Sequence, residues 1–96
     1  MGRDTFLRVL CYDVTSDQKR RRIAKVLEEG ASRVQYSVFE TRLTGSALDR
    51  LIAAATAHLG PGDSLRVYTI DRAGERHCTV HGSGVPIETE ADFWLL

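Results

Sequence analysis

A chain of 96 residues holds one domain at most and buries a core of only moderate size, so self-association is a natural way to complete it. Its 13 basic and 13 acidic residues cancel, yet residues 1–50 carry ten Lys/Arg against seven Asp/Glu and residues 51–96 three against six, so a local anion site survives the neutral total. Two cysteines exclude the dense disulfide framework of a secreted mini-protein, and no stretch approaches a membrane span.

Met1 to Thr5 carry charges of both signs and lead directly into a strand, without the long apolar region of a signal peptide, so a cytoplasmic, membrane-free protein is expected. Leu7 to Asp13 is an apolar, β-branched and aromatic run of strand length, broken only by Arg8. It reads as the central strand. In an open sheet covered by helices, chemistry is commonly placed at a strand's carboxyl end, which makes Asp13 the first functional suspect. Thr15 to Gln18 fits a capping box that opens a helix to about Glu29, with Ile23, Val26 and Leu27 as its apolar stripe and Gly30 as a left-handed stop. Lys19, Arg20, Arg21, Arg22 and Lys25 cluster in this helix with no acid among them. Its first turns are the unfavourable end for positive charge, so two readings stand: a bound anion, or a solvated basic face.

Arg33 to Leu43 is extended by composition and too long for one average strand, so two strands with a reversal near Tyr36 and Ser37 are predicted. Leu48, Leu51, Ile52, Ala55 and Leu59 lie on one face of a second helix ended by Gly60-Pro61. Leu65 to Ile70 alternates as a half-buried strand does; Arg72 to Glu75 reads as a turn, and Arg76 to His81 as a further short strand. Gly82, Ser83, Gly84 and Pro86 then break regular structure, and the apolar end, Phe93-Trp94-Leu95-Leu96, is expected to pack on this chain or on a partner.

Strand, helix, strand, strand, helix, strand is the order of a ferredoxin-like α+β fold, βαββαβ, here over residues 1–82 with an appended C-terminal strand and an extension over 83–96. Two helices cover one face of such a sheet and leave the other bare. A homodimer formed through that face, with the final segment crossing to the partner, would bury it.

Tyr12-Asp13-Val14 at the end of the first strand, the basic helix, and the string Gly30-Ala31-Ser32-Arg33-Val34-Gln35-Tyr36-Ser37-Val38-Phe39-Glu40 resemble the CRISPR-associated protein 2 family. The resemblance extends over residues 7 to about 82, and Arg-Val-Gln-x-Ser-Val-Phe-Glu is its specific part. It implies a ferredoxin-like homodimer that acts on or holds nucleic acid as the small partner of the spacer-acquisition integrase. Some members of the family are magnesium-dependent endonucleases for single-stranded RNA or double-stranded DNA; others are scaffolds between integrase dimers. By the same resemblance Asp13 is the metal residue, and Tyr12, Arg20, Arg22, Arg33, Ser37 and Phe39 match positions implicated in activity or nucleic-acid contact.

The chemistry bounds these expectations. Magnesium takes six oxygen ligands, keeps several waters and is often held by one or two carboxylates plus substrate phosphate, so one Asp13 per chain suffices only if a twofold axis or the substrate completes the shell. No side chain is an obvious general base. Each residue also has a structural reading: Asp13 as a turn or cap residue, Tyr12 and Phe39 as core aromatics, Ser37 as part of the reversal, Arg33 as an edge-strand charge. On a strand, His77 and His81 would share a face about 13 Å apart with Cys78 on the other, a spacing that excludes one zinc ion on all three. His58 reads as a helix-terminal residue, and Glu88, Glu90 and Asp92 lack the spacing of a calcium loop. A ferredoxin-like regulatory domain would need no nucleic acid, but it leaves the basic helix and the Arg33 to Glu40 string unexplained.

Overall fold

The computed structural model describes residues 5–87 and 89. The chain runs β1 (Leu7–Asp13), α1 (Asp17–Leu27), β2 (Ser32–Gln35), β3 (Val38–Thr41), α2 (Gly45–Thr56), β4 (Ser64–Ile70) and a short α3 (Arg72–Glu75). All strand pairs are antiparallel and the order is β2-β3-β1-β4, the split βαβ arrangement of a ferredoxin-like sheet. β1 is therefore central, pairing with β4 from Leu7↔Ile70 to Asp13↔Ser64 and with β3 from Arg8↔Thr41 to Cys11↔Val38.

Alternation along β1 decides which side chains meet the helices. Leu10 and Tyr12 turn inward and join Phe39, Ile23, Ala24, Leu27, Leu51 and Ala55 in one core, while Leu65 and Val67 of β4 pack at its edge. Leu10, Leu27 and Phe39 are wholly buried, each worth roughly 1.5–3 kcal/mol of transfer free energy. Val9 and Cys11 turn the other way and are only half-buried. With Val38 and Tyr68 they form a sheet face that neither long helix covers, while at its far end Ile70, paired with the buried Leu7, lies against Gly74 of α3.

Four local expectations are corrected. The cap of α1 is Ser16, one residue later than the Thr15–Gln18 box placed it; its hydroxyl accepts from the Lys19 amide at 3.3 Å. Gly30 is not left-handed: among the described residues only Gly45, Gly62 and Gly82 have positive φ. What excludes a side chain at Gly30 is close packing: a Cβ there would stand 2.7 Å from Cδ1 of Leu43. α2 stops at Thr56, short of Gly60-Pro61, with Ala57 as its cap.

The fourth correction concerns the end of the domain. Arg72 to Glu75 is α3 and not a simple turn, because the Asp71 carboxylate accepts from the Gly74 amide at 2.7 Å and caps it. After this helical turn, residues 76–81 form no strand within the chain. Cys78 Sγ instead lies 3.5 Å from the Gly74 carbonyl, and Thr79 Oγ1 lies 2.8 Å from His81 Nε2. The strand geometry expected of His77, Cys78 and His81 is absent. Residues 83–87 are exposed or half-buried and without regular structure, whereas Glu88, Glu90, Asp92 and the apolar end fall outside the described residues. Cys11 and Cys78 are free thiols, both half-buried rather than fully enclosed.

Candidate nucleic-acid interface

The turn between β2 and β3 is built from the inside of the sheet outward. Val34 is an extra residue on β2, because the ladder steps from Arg33↔Phe39 to Gln35↔Val38, and this bulge bends the strand into the reversal at Tyr36 and Ser37. Tyr12 then fixes the reversal twice: its amide donates to the Ser37 carbonyl at 3.1 Å and its hydroxyl to the Tyr36 carbonyl at 3.2 Å. Arg33 donates to the same Tyr36 carbonyl from Nε at 3.1 Å and from Nη2 at 2.6 Å. One carbonyl oxygen thus collects three donors. The guanidinium also lies 5.5 Å from the Tyr36 ring centroid and 5.4 Å from that of Phe39.

Facing this turn is α1. Between them runs a groove of about 770 Å³, with Tyr12 and Ala24 beneath, Arg20, Arg21, Lys25, Asp17 and Glu28 on the helix side, and Arg33, Tyr36 and Ser37 on the strand side. Its charges are of two kinds. Arg20 donates to the Val14 and Thr15 carbonyls at 2.6 and 3.0 Å and pairs with Asp17, and Arg33 lies 3.8 Å from Glu28. Arg21 and Lys25 are exposed and make no ion pair among the described residues. The paired arginines shape the groove, and the other two leave it net positive.

Of the residues named from the sequence, the groove gathers Tyr12, Arg20, Arg33 and Ser37. Phe39 lies beneath it with no accessible surface, tilted against Tyr12 at a centroid distance of 6.3 Å. Arg22 is exposed on α1 but does not line the groove. Asp13 is apart from it as well. Alternation puts Asp13 on the bare face of the sheet, exposed at the end of β1, and its carboxylate has no hydrogen-bond or ion-pair partner among the described residues. The cap role is taken by Ser16. Among the described residues no group of three or more His, Cys, Asp and Glu side chains could hold a metal ion, so Asp13 is not part of such a group within the chain.

Tyr36, 89% accessible, is the site residue that sequence reasoning treated only as a turn position. A large aromatic placed at a reversal lacking Gly or Asn is the signal that marks it, because turns ordinarily carry small polar residues.

The family model for CRISPR associated protein Cas2 matches residues 6–77, three-quarters of the chain. The chain belongs to the Cas2 family. A protein of Synechocystis named CRISPR-associated endoribonuclease Cas2 2 is 42% identical over 77 residues, covering 78% of this chain and 83% of that protein. The structure of a hypothetical protein, TT1823, from Thermus thermophilus is 33% identical and superposes with a TM-score of 0.74 over 84% of this chain and 95% of its own. Streptococcus pyogenes Cas2 does so with a TM-score of 0.68 and 26% identity, over 79% and 99%. No helix among the described residues is long and apolar enough to cross a membrane.

Proposed function

We propose that this Cas2 protein acts in CRISPR adaptation as a homodimer that binds nucleic acid through its cationic grooves and cleaves it, as a magnesium-dependent endonuclease on single-stranded RNA or double-stranded DNA, through Asp13. The observation that carries the binding part of the reading is the groove itself: the turn held by Tyr12 and Arg33 faces a basic helix, and Arg21 and Lys25, without an ion-pair partner among the described residues, are placed to meet phosphates. Membership of a family whose Synechocystis relative is named an endoribonuclease supports the reaction class.

The sheet face opposite the long helices supports the dimer. Val9, Val38 and Tyr68 keep apolar surface open to water on the face that neither long helix covers, and face-to-face pairing of two copies removes it from water. Asp13 stands on that same face at the end of the central strand, so a twofold axis close to β1 draws two Asp13 carboxylates together. Two carboxylates and a substrate phosphate suit magnesium, which keeps most of its shell as water. A bound ion would supply Lewis acidity and offset the charge that develops on the phosphodiester. The chain's own part is to hold the strand: Arg21 and Lys25 neutralise backbone charge, and Arg33 and Tyr12 keep the turn in place.

A second reading, a non-catalytic DNA-binding scaffold that bridges subunits of the CRISPR integrase, is favoured by the place of Asp13, which lies apart from the cationic groove and does not line it. Cleavage of labelled single-stranded RNA and double-stranded DNA, with magnesium or EDTA, separates the two. Magnesium-dependent cleavage by the wild type that disappears in Asp13→Ala establishes the nuclease. Salt-dependent binding without cleavage by the wild type leaves the scaffold.

A further inference from the structure

The groove holds one feature that phosphate binding does not use. Tyr36 keeps 89% of its surface in water although its ring is large and mostly apolar. Nothing about the turn requires a ring there, because the atom that ties the turn down is the Tyr36 carbonyl, which any residue supplies. Three donors on that carbonyl, together with the bond from the Tyr12 amide to Ser37, nevertheless fix the direction in which the side chain leaves the backbone. Arg33 stands 5.5 Å from the ring centroid and leaves most of the ring open to solvent. The result is an exposed aromatic surface on a rigid mount, on the wall of a groove whose opposite wall carries Arg21 and Lys25.

We infer that Tyr36 is a stacking platform for an unpaired nucleobase, with the flanking phosphates held by Arg21 and Lys25 of α1. This rests on the nucleic-acid reading above and assigns the groove a class of substrate: a single-stranded segment or a frayed end. Single strands are bound by this pairing of cations that follow the backbone with aromatic side chains that accept a base on their face, independent of sequence. Bases inside a duplex are stacked on one another and offer no free face, so a duplex meets the cations and not the ring. The rigid mount matters because an aromatic already held in place loses little conformational freedom when a base lands on it.

Binding of short labelled RNA and DNA, single-stranded and duplex, to the full-length protein tests the assignment. Tyr36→Ala, Tyr36→Phe, Arg21→Ala and Lys25→Ala are compared with the wild type over a range of salt. Tyr36→Ala is expected to weaken single-strand binding about ten-fold or more. It should leave duplex binding and the salt slope unchanged, and Tyr36→Phe should restore single-strand affinity. Arg21→Ala and Lys25→Ala should each weaken both forms and lower the single-strand slope by roughly 0.7. The Tyr36 side chain packs against no core residue and the bonded carbonyl survives in alanine, so the variant folds as the wild type does, which thermal unfolding checks. An oligonucleotide carrying 2-aminopurine adds a direct readout, since stacking on the ring quenches its fluorescence in the wild type and not in Tyr36→Ala. Equal single-strand affinity for the wild type and Tyr36→Ala, or an equal loss on duplex and single strand, overturns the platform alone. Absence of any binding by the wild type overturns the nucleic-acid reading and this inference with it.

Discussion

Tyr12 holds Tyr36 in place across 24 residues of sequence, its hydroxyl donating to the Tyr36 carbonyl at 3.2 Å from a ring that is itself 93% removed from solvent. A core aromatic therefore governs the position of an exposed one. Tyr12→Phe keeps the packing against Phe39 and deletes only the hydroxyl. The Tyr36 carbonyl retains its two bonds from Arg33, so the loss in unfolding free energy should be about 1 kcal/mol, that of one ordinary hydrogen bond. Chemical denaturation at fixed protein concentration measures it. A loss several times larger would mean that Arg33 does not hold the turn when Tyr12 lets go.

Phe39 supports the groove from below. With no accessible surface it touches no ligand directly in the folded chain, and its contributions are packing against Tyr12 and a ring for the Arg33 guanidinium to rest on. Phe39→Leu removes part of a core ring and should cost roughly 1–2 kcal/mol. In a domain of this size that lowers the melting temperature by about 5–15 °C. Affinity for nucleic acid measured well below the new midpoint should stay within about twofold of the wild type. A large loss of affinity by a fully folded Phe39→Leu would show that the ring positions Arg33 more strictly than packing requires.

How far these features were legible in the sequence depends on the range of the interactions that create them. The strands and both long helices follow from periods of two and 3.6 in the apolar residues, their order along the chain matches the split βαβ arrangement, and Leu48, Leu51 and Ala55 lie inward as the pattern requires. Tyr12, Arg20, Arg33 and Ser37 were marked by a motif, and the fold gathers them at one groove. Tyr36 escaped notice as a surface because its exposure is set by bonds from Tyr12, far away in sequence. α3 was hidden by Gly74, which reads as a turn until the local bond from its amide to Asp71 is seen. Gly30 shows the converse error. Its place after a helix suggests a left-handed cap, whereas the contact that excludes a side chain comes from Leu43, thirteen positions on.

Asp13 separates function from stability. Its side chain is exposed and has no partner among the described residues, and Ser16 caps the following helix in its stead. Asp13→Asn should therefore change unfolding free energy by no more than about 0.5 kcal/mol while removing a carboxylate from the bare sheet face. Thermal unfolding and sedimentation of the same preparation used for cleavage assays check this. A marked loss of stability would return Asp13 to a structural role and would make any accompanying loss of cleavage uninformative about metal binding.

Arg42 and Glu75 set the acid limit of the domain. Arg42 is 2% exposed at the end of β3; it pairs with both oxygens of Glu75 in α3 and donates to the Thr5 carbonyl at 3.0 Å, so it ties three segments together. Its hydrogen bonds hold the Glu75 carboxyl below the ordinary carboxylate value of 4.5, outweighing the opposite effect of partial burial. A lowered folded-state pKa means that the unfolded chain binds the proton first on acidification. The stabilisation is therefore complete above about pH 4.5–5 and is lost as pH falls through the lower folded value. Glu75→Gln leaves the Arg42 charge buried beside a neutral amide. The cost should be on the order of 2 kcal/mol at neutral pH, below the 3–5 or so of fully buried pairs, because the Glu75 side chain keeps 26% of its surface in water. Denaturation of the wild type and Glu75→Gln from pH 7 to pH 3 should show two curves that converge as the wild-type carboxylate takes up its proton. A constant gap across that range would mean that packing, and not the charge on Glu75, holds α3 against the end of β3.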